Sequence, residues 1–516
     1  MTERLDTVLV LDFGGQYCHL IARRIRELSV YSEIVPADLT PEELDGIDAR
    51  LNVKGLVLSG GPSSVYQRDS PKIESDVLDS GIPILGLCYG HQLIAYLSGG
   101  TVKCRTKQEY GIAYVTIDRP VGVLEGLSDT EKVWMSHGDT VQSLPEHFEN
   151  LAHTQNCPVA AYRHTEKAIY GLQWHPEVVQ TEHGKEMLSN FIFELCKCQA
   201  SWKPSSLVNE QINRMREVVS SGKAIIALSG GIDSSVAAII ASKALGENLT
   251  AVFVDHGFMR EGEPEFVRTT FEKLGVKVIV AQARERFLER MKGVVDPEEK
   301  RRIIGAEFIR VFEETARKIG AEYLIQGTIY PDRIESGFRR HSDRIKSHHN
   351  VAGLPTQIEF KAVIEPLSDL YKDEVRQIAK TLGLPDKIVR RQPFPGPGLA
   401  VRVVGEVTPE KVELVRRADK IVAEEIEKSG LADCLWQYFP VLTDTKSTGV
   451  RGDSRAYGYV MAIRVVESRE AMTASFTKVP YGLLEQISTR VTNEIPSVTR
   501  VVYDITHKPP ATIEWE

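Results

Sequence analysis

Short apolar runs that end in glycine-rich turns recur along the chain, and helix-forming segments follow them. Three of these runs, at residues 7–11, 54–58 and 83–88, lie in the first part of the chain, and two more, at 223–228 and 250–255, lie near its middle. Each has the length and composition of a strand that is buried on both faces. Strands that alternate with helices predict parallel α/β sheets, whose sites lie at the carboxyl ends of the strands.

The turn after the run at 223–228 has a composition suited to a phosphate group. Its glycines let backbone N–H groups approach closely, its serine hydroxyls add donors, and the Asp233 carboxylate can hold Mg²⁺. A Walker A loop needs a lysine that reaches the β- and γ-phosphates, and no lysine follows here. The turn therefore predicts a site for the pyrophosphate released when ATP is cut at its α-phosphate, although an ordinary tight turn is the alternative. The predicted ATP-binding residues are Ser229, Gly230, Gly231, Ile232, Asp233, Ser234 and Ser235.

The run at 83–88 ends in the pattern G-L-C-Y-G centred on Cys88, which has the spacing of a nucleophile elbow with cysteine in place of serine. The following helix N-terminus favours the thiolate form. A cysteine nucleophile needs a base and a residue that orients the base, and the sequence His175-Pro-Glu177 supplies both. A single cysteine or histidine is more often structural, so it is the combination that predicts a catalytic triad.

Length, charge and cysteine content narrow the class of protein. At 516 residues the chain is too long for one hydrophobic core, and its net charge of −8 argues against a general nucleic-acid-binding protein. No apolar run has membrane-spanning length and the first residues are too polar for a signal peptide, so we expect no membrane partner and a cytoplasmic location. The seven cysteines are scattered and predict neither a disulfide framework nor a zinc site.

Two of these motifs resemble those of known enzyme families. The turn S-G-G-I-D-S resembles the loop of the N-type ATP pyrophosphatases, which adenylylate an oxygen and then displace AMP with a nucleophile. The order Cys88, His175, Glu177 resembles the class I glutamine amidotransferases, in which a thiolate attacks the glutamine carboxamide and ammonia leaves. That second resemblance implies that the backbone N–H groups of Gly60 and Tyr89 bind the oxyanion.

The C-terminal third is similar to one family in particular. The sequence K-P-P-A-T-I-E-W-E at 508–516, with H-H-N-V-A-G-L-P at 348–355, resembles the glutamine-hydrolysing GMP synthetases of the bacterial type. The resemblance implies that glutamine supplies ammonia, that ATP adenylylates the C2 oxygen of xanthosine monophosphate (XMP), and that ammonia displaces AMP to give GMP, with pyrophosphate as the other by-product. We also expect Lys361 and Lys372 to stabilise charge at the α-phosphate. The residues implied to contact XMP are Arg301, Gln437, Arg500, Lys508, Ile513 and Glu514.

The predicted fold class is α/β, with two doubly wound parallel-sheet domains followed by a smaller α+β dimerisation domain. We place a class I amidotransferase domain at 1–198, a polar linker at 199–206, an ATP pyrophosphatase domain at 207–392 and a C-terminal domain at 393–516, which the resemblance implies forms a homodimer and binds XMP. A basic loop at 339–355 is expected to close on a polyanion, whereas the charge run at 297–305 is read as the solvated start of a helix.

Some alternatives remain open at this point. Another amidating synthetase, such as one that forms asparagine or NAD, would share both modules and differ only in the C-terminal third. A nucleotide sensor built on decayed modules is opposed by the intact residues Cys88, His175, Glu177 and Asp233. The segment Ser136-His-Gly-Asp139 fits either a polar turn or, by the family resemblance, a surface that contacts the next domain.

Overall fold

The computed structural model describes residues 4–330, 345–346, 360–468 and 473–516, with the backbone alone at 105–107 and 345–346. Contacts divide the chain into two compact units, one that ends at Lys203 and one that begins at Pro204. Apart from the strand Ile345–Lys346, the predicted closing loop at 339–355 lies outside the described residues. Within the described ranges, no helix combines the length and the apolar character that a membrane crossing requires.

The first unit is built on one large sheet. Its strands are β1 (Asp6–Asp12), β2 (Tyr31–Pro36), β3 (Asn52–Leu58), β4 (Ile84–Leu87), β5 (Thr101–Ile117), β6 (Thr130–Ser143), β7 (Phe148–His153), β8 (Ala161–His164) and β9 (Ile169–Leu172). Its α-helices are α1 (Cys18–Glu27), α2 (Pro41–Arg50), α3 (Tyr89–Leu97) and α4 (Gly184–Ser189). The nine strands follow the order β2-β1-β3-β4-β9-β8-β7-β5-β6.

The parallel half of this sheet carries the glycine-rich strand ends. Strands β2, β1, β3, β4 and β9 run parallel, and all four residues of β4 are buried, as expected of a strand covered on both faces. The antiparallel half holds β5 and β6, which pair over most of their length. The segment Ser136–Asp139 lies within β6, so the alternative that it forms a polar turn is wrong.

The second unit contains two sheets. Its strands are β10 (Ala224–Ala227), β11 (Leu249–Asp255), β12 (Val278–Gln282), β13 (Tyr323–Ile325), β14 (Ile345–Lys346), β15 (Ala362–Ile364), β16 (Gln437–Arg451), β17 (Ser454–Glu467), β18 (Ser475–Phe476) and β19 (Val498–Tyr503). Its α-helices are α5 (Pro204–Val219), α6 (Ile232–Leu245), α7 (Glu263–Lys273), α8 (Arg284–Met291), α9 (Pro297–Ile319), α10 (Lys372–Thr381), α11 (Asp386–Val389), α12 (Pro409–Lys428) and α13 (Tyr481–Glu494).

The two sheets of the second unit differ in strand direction. The six-stranded sheet has the order β12-β11-β10-β13-β15-β14 and is parallel except for β14. Helix α6 is apolar on almost every face and is largely buried, which is typical of a helix enclosed by its neighbours. The four-stranded sheet consists of the antiparallel strands β16, β17 and β18, with β19 parallel to β17.

One hydrophobic core runs through the second unit. It includes Val252 of β11 and Phe287 of α8 as well as Val415 of α12 and Ile463 of β17. The predicted boundary at 393 therefore falls inside a unit with a continuous core, and the division of this unit into two domains stays a prediction.

The predicted linker at 199–206 overlaps the start of a helix and contains one buried side chain. Helix α5 begins at Pro204, and Trp202 is buried with its ring centroid 4.8 Å from that of Tyr31 in the first unit. The backbone N–H of Trp202 also donates to the carbonyl of Ser29 at 2.8 Å. A polar sequence around one tryptophan suggested a solvated connection, but burial of the indole attaches most of this segment to the first unit.

Candidate active sites

The cysteine of the predicted elbow lies at the junction of β4 and α3. Cys88 directly precedes α3 and has a φ of 52°, a left-handed conformation that residues other than glycine rarely adopt. This strained conformation turns the chain sharply from the strand into the helix, as in a nucleophile elbow. Cys88 is buried, and its thiol donates a hydrogen bond to the backbone carbonyl of Ser136 at 3.5 Å.

Close backbone contacts require the two glycines that flank this cysteine. A Cβ placed on Gly86 would lie 2.6 Å from the carbonyl oxygen of Gly90, and a Cβ placed on Gly90 would lie 2.3 Å from the carbonyl oxygen of Leu58. Both distances are far shorter than a van der Waals contact, so no side chain fits at either position. The G-x-C-x-G spacing is therefore imposed by the packing of β3, β4 and α3.

The predicted base lies just after β9, where its backbone N–H donates to the Trp134 carbonyl at 3.1 Å. His175 Nδ1 donates to Glu177 Oε1 at 2.7 Å, and both residues are buried. Burial lowers the pKa of His175, but the charges of Glu177 and Cys88 outweigh burial and hold that pKa well above its ordinary value. This arrangement favours the imidazolium form of His175.

The predicted oxyanion residues border the same point. A Cβ placed on Gly60 would lie 3.7 Å from Cβ of Cys88 and 3.2 Å from Cε1 of His175. Tyr89 is the first residue of α3, where backbone N–H groups have no partner within the helix. Its hydroxyl donates to the Pro71 carbonyl at 2.6 Å. The structure thus brings together all five predicted residues, Cys88, His175, Glu177, Gly60 and Tyr89.

The predicted ATP loop connects β10 to α6 and is organised by its own hydroxyl groups. Ser229 Oγ accepts from the backbone N–H of Gly231 at 3.2 Å and lies 3.0 Å from Oγ of Ser234. Ser235 Oγ donates to the carbonyl of Gly231 at 2.6 Å. Gly230 has a φ of 73°, which lets the chain reverse before the helix begins. The result is a compact turn at the N-terminus of a buried helix.

Asp233, on the first turn of α6, forms an ion pair with Lys372, the first residue of α10. Its other carboxylate oxygen, Oδ1, is buried and has no hydrogen-bond partner among the residues that the structure describes. A buried carboxylate oxygen without a partner is costly, and it fits the oxygen ligand that Mg²⁺ prefers. Lys372 therefore lies beside the predicted ATP loop, in contact with its Asp233.

Lys361 lies at the end of the strands opposite the ATP loop. Lys361 precedes β15 and forms an ion pair with Glu322, which precedes β13. Strands β10, β13 and β15 are parallel and in register, with Ala224, Tyr323 and Ala362 side by side. Lys361 therefore lies at the amino ends of these strands, whereas the loop follows the carboxyl end of β10. The expectation that Lys361 stabilises charge at the α-phosphate stays a prediction, and this position does not support it.

Glu514, predicted to contact XMP, is held by two other side chains. Arg402 donates to both of its carboxylate oxygens, at 3.0 and 3.1 Å, and Gln437 Nε2 donates to one of them at 3.0 Å. Arg402 is fully buried and also pairs with Asp419 at 3.1 Å. The carboxylate of Glu514 is therefore fixed in place by a buried cation.

The residues around Glu514 are anchored as well. Ile513 is buried in an apolar cluster with Phe439, and Arg301 donates to the backbone carbonyl of Glu516. Packing and charge together bring four of the predicted XMP residues, Arg301, Gln437, Ile513 and Glu514, around one segment.

The two remaining XMP candidates lie elsewhere in this fold. Arg500 is on β19, where its Nε donates to Ser447 Oγ at 3.4 Å. Lys508 forms a bridge with Ala474, whose carbonyl accepts from the Lys508 backbone N–H at 2.8 Å. Both are basic residues near the small sheet, but the described contacts do not place them at Glu514.

Comparisons with known proteins match the three parts of the chain and the chain as a whole. The family models "Glutamine amidotransferase class-I", "PP-loop domain" and "GMP synthase C terminal domain" match residues 9–195, 204–385 and 424–515. The protein named GMP synthase [glutamine-hydrolyzing] is 53% identical in Caldicellulosiruptor saccharolyticus, over 99% of both chains. Proteins of the same name are 52% identical in Caldanaerobacter subterraneus, over 100% of both chains, and 50% identical in Geobacillus kaustophilus, over 99% of both chains. The chain belongs to the glutamine-hydrolysing GMP synthase family.

Membership of the GMP synthase family confirms the predicted resemblance, fold class and activity. The protein is an enzyme, a ligase that forms GMP. Its chain contains a class I glutamine amidotransferase part and an ATP pyrophosphatase part. Because relatives match over the whole chain, an asparagine- or NAD-forming ligase is no longer a competing reading.

Three basic residues with contacts at these sites in the GMP synthase family member were not predicted from its sequence. Arg391 donates to the carbonyl of Gly230 in the ATP loop at 2.9 Å. Lys300 and Arg402 are fully buried, and each pairs with a carboxylate of the segment 513–516. Arg391 lies in a proline-rich stretch from which the sequence analysis predicted only a domain boundary.

One signal for Lys300 was present in the sequence. Lys300, Ile304 and Glu307 are spaced at i, i+4 and i+7 and share the buried face of α9. The surrounding charge run suggested a solvated face, and that expectation is wrong for Lys300 because its ammonium has a carboxylate partner inside the unit.

Proposed function

We propose that the first unit hydrolyses glutamine by covalent catalysis at Cys88. The thiolate attacks the carboxamide carbon, and the backbone N–H groups of Gly60 and Tyr89 bind the oxyanion. His175 gives its proton to the leaving nitrogen, which departs as ammonia and leaves a thioester on Cys88. His175 then accepts a proton from water, whose attack releases glutamate and restores the thiolate. Glu177 holds the imidazole in the orientation that both steps need.

We propose that the second unit uses the ammonia to convert XMP to GMP. The loop 229–235 binds the phosphates of ATP, and the C2 oxygen of XMP attacks the α-phosphorus, so that pyrophosphate leaves. Ammonia then attacks C2 and expels AMP. The chemistry requires this order, because an oxygen bonded to C2 is a poor leaving group until it is adenylylated. Lys372 stabilises charge at the α-phosphate, and Mg²⁺ held by the Asp233 carboxylate would neutralise phosphate charge.

For XMP itself we propose a site in the part of the second unit that begins near residue 393. Glu514 offers a fixed acceptor for a base N–H or a ribose hydroxyl, supported by its hydrogen bonds from Arg402 and Gln437. Arg301, Arg500 and Lys508 supply positive charge for the phosphate, with Ile513 as the apolar wall.

We further propose that the protein is a homodimer through the small C-terminal sheet. Val450 of β16 is 74% exposed, Tyr457 of β17 is 71% exposed and Ile505 after β19 is 65% exposed. Apolar side chains this exposed are typical of a surface covered by a partner. Sedimentation velocity on the Tyr457→Glu variant should show a shift from dimer to monomer, and a monomeric parent protein would contradict the proposal.

The proposed location is a reducing cytoplasm. All seven cysteines lie in the described residues and none forms a disulfide, as expected where thiols are kept reduced.

One observation carries the proposed reaction: an ATP loop without a Walker lysine lies beside the pair Asp233 and Lys372, in a chain that also carries a complete Cys–His–Glu site. Cleavage at the α-phosphate has a specific isotopic signature. With XMP labelled by ¹⁸O at C2, mass spectrometry should find the label in the phosphate of AMP and not in pyrophosphate. Label in inorganic phosphate with formation of ADP would contradict the assignment of the loop.

A further inference from the structure

Three side chains with metal-binding atoms meet in the first unit, outside the proposed triad. They are Glu109 of β5, His137 of β6 and Cys157 of the connection between β7 and β8. One carboxylate oxygen, one ring nitrogen and the sulfur all lie within 4.8 Å of one another. His137 and Cys157 are buried, and Glu109 is nearly so. The three residues are far apart in the sequence, so no sequence motif indicates the cluster. It forms because strands β5 and β6 pair, which places Glu109 directly opposite His137.

The imidazole of His137 is oriented by the backbone. Its Nδ1 lies 3.0 Å from the carbonyl oxygen of Asp139, and a carbonyl can only accept, so Nδ1 carries the proton. The other ring nitrogen, Nε2, faces Glu109, whose Oε2 is 3.2 Å away. Both atoms are buried, and neither has a hydrogen-bond partner of good geometry in the described part of the chain. Two buried polar atoms that face each other without a partner of good geometry leave a place for a cation.

The carboxylate of Glu109 is oriented in the same way. Its Oε1 accepts from the Thr154 hydroxyl at 2.8 Å, and that hydroxyl oxygen accepts from the backbone N–H of Cys157 at 2.8 Å. Each oxygen or nitrogen ligand thus has one atom fixed by a neighbour and the other directed at the cluster, the arrangement that supporting residues give to metal ligands.

We propose that Glu109, His137 and Cys157 form a binding site for a divalent transition metal, with Zn²⁺ as the best match. In a tetrahedral zinc site, nitrogen and oxygen ligands at about 2.0–2.1 Å from the metal lie about 3.3 Å apart. The observed separation of 3.2 Å between His137 Nε2 and Glu109 Oε2 has that value already. A mixed set of nitrogen, oxygen and sulfur ligands favours zinc over Mg²⁺ or Ca²⁺, which prefer oxygen alone.

The site is connected to the strand that contacts the nucleophile. Ser136, next to His137, accepts the hydrogen bond from the Cys88 thiol. The Asp139 carbonyl that orients His137 also accepts from Gln92 Nε2 of α3 at 2.7 Å. A metal at Glu109, His137 and Cys157 would tie β5 and β6 to the next loop and stiffen the carbonyl beside the thiol.

The test is a Co²⁺ titration of the metal-free, full-length chain carrying Cys88→Ser, which removes the nucleophile as a competing thiolate ligand. We expect one equivalent of Co²⁺ to produce a thiolate-to-cobalt charge-transfer band together with the visible bands of tetrahedral cobalt. Adding Cys157→Ser should abolish the charge-transfer band. The isosteric Glu109→Gln should weaken Co²⁺ binding by at least about tenfold.

Two matched controls separate this site from other thiols. Cys104→Ser removes an exposed cysteine on β5, the strand that carries Glu109, and Cys198→Ser removes one member of the pair Cys196 and Cys198. Both should keep the band. Thermal unfolding verifies that each variant is folded. If the Cys157→Ser variant does not fold, Co²⁺ binding by the Glu109→Gln variant decides the test. Absence of the band in the parent, a band that survives Cys157→Ser, or Co²⁺ affinity unaltered by Glu109→Gln would overturn the proposal and leave a simple Glu–His contact.

Discussion

The glutaminase site and the nucleotide site of this protein differ in how their reactive groups are held. In the first, Cys88 has a strained backbone, and the His175–Glu177 pair is buried and directed at it. In the second, the cations are paired with acidic residues of the protein: Lys372 with Asp233, and Arg391 with Glu263. The first site is assembled before any substrate arrives, whereas the second holds its charges in internal ion pairs.

The charge of the substrate explains the difference. Glutamine presents a neutral carboxamide, so its site needs a nucleophile and a base in fixed positions, and fixed positions are obtained by burial and backbone constraint. ATP and XMP are polyanions. The basic side chains that bind these polyanions would repel one another in an unliganded site. Protein carboxylates offset that repulsion until the phosphates replace the carboxylates as partners. We therefore expect binding at the second site to exchange one set of ion-pair partners for another.

The largest effect should come from removing the nucleophile. Cys88→Ala should lower glutamine-dependent GMP synthesis by about 10⁴-fold or more, because no other group can form the thioester. Synthesis from ammonium chloride should stay within about twofold of the parent, since the ATP loop is unchanged. Both rates are measured as AMP release. The exposed Cys104→Ala serves as the control, and loss of both activities in a folded Cys88→Ala protein would mean that the two sites are not separate.

Changing the base's partner should alter the pH dependence of the first site. Glu177→Gln removes the charge that raises the pKa of His175, so that pKa should fall. Because the active form carries a protonated imidazole beside the thiolate, the alkaline limb of kcat/KM for glutamine should move to lower pH. The rate should drop by about 10²- to 10⁴-fold.

A matched control is available in the same unit. Glu131 is buried and pairs with His183 at 2.7 Å, outside the triad. Glu131→Gln should leave the alkaline limb in place. If Glu177→Gln leaves it in place as well, the charge of Glu177 does not set the titration of His175.

The two lysines that were predicted to act at the α-phosphate now give opposite expectations. Lys372→Ala should slow adenylylation by about 10²- to 10³-fold, the usual effect of losing one group that stabilises transition-state charge. Lys361→Ala should have less than a twofold effect, since Lys361 pairs with Glu322 at the other end of the strands. Pyrophosphate release at saturating ammonia measures both. Equal losses in the two variants would place Lys361 at the reaction after all.

The smallest effect concerns the backbone that holds the elbow. Gly90→Ala places a Cβ 2.3 Å from the Leu58 carbonyl oxygen, and we expect a loss of about 1–3 kcal/mol in the free energy of unfolding of the first unit. Gly46→Ala is the control, because a Cβ on Gly46 of α2 meets no atom within 4 Å. Alanine there should be neutral or stabilising by up to about 1 kcal/mol. Urea denaturation compares them, and equal stability would mean that the elbow tolerates a side chain.

The strands and the first site could be predicted because their signals are local. A buried parallel strand is a run of apolar residues, and each of the turns at Cys88 and Ser229 is a motif of consecutive residues. Even the distant His175 and Glu177 carry their own short motif. What the comparisons added was the confirmation that both modules belong to one enzyme family.

The remaining features could not be predicted because they depend on which strands lie side by side. The position of Lys361 just before β15 can be known only from the order and direction of the strands. The pairing of Lys300 with Glu516 joins residues that are 216 positions apart. The contact of Glu109 with His137 follows from the register of β5 and β6 alone. In each case the sequence shows the chemical type of the residue but not which residue it contacts in the folded chain.

The continuous core of the second unit has a consequence for how the gene can be divided. Because Val252 and Phe287 pack in the same core as Val415 and Ile463, a coding sequence cut at residue 393 would yield two insoluble fragments with exposed apolar faces. A cut between Lys203 and Pro204 falls between the two compact units, and each fragment keeps its own sheets. Two separate genes that meet at that junction would therefore encode two polypeptides that fold independently of each other.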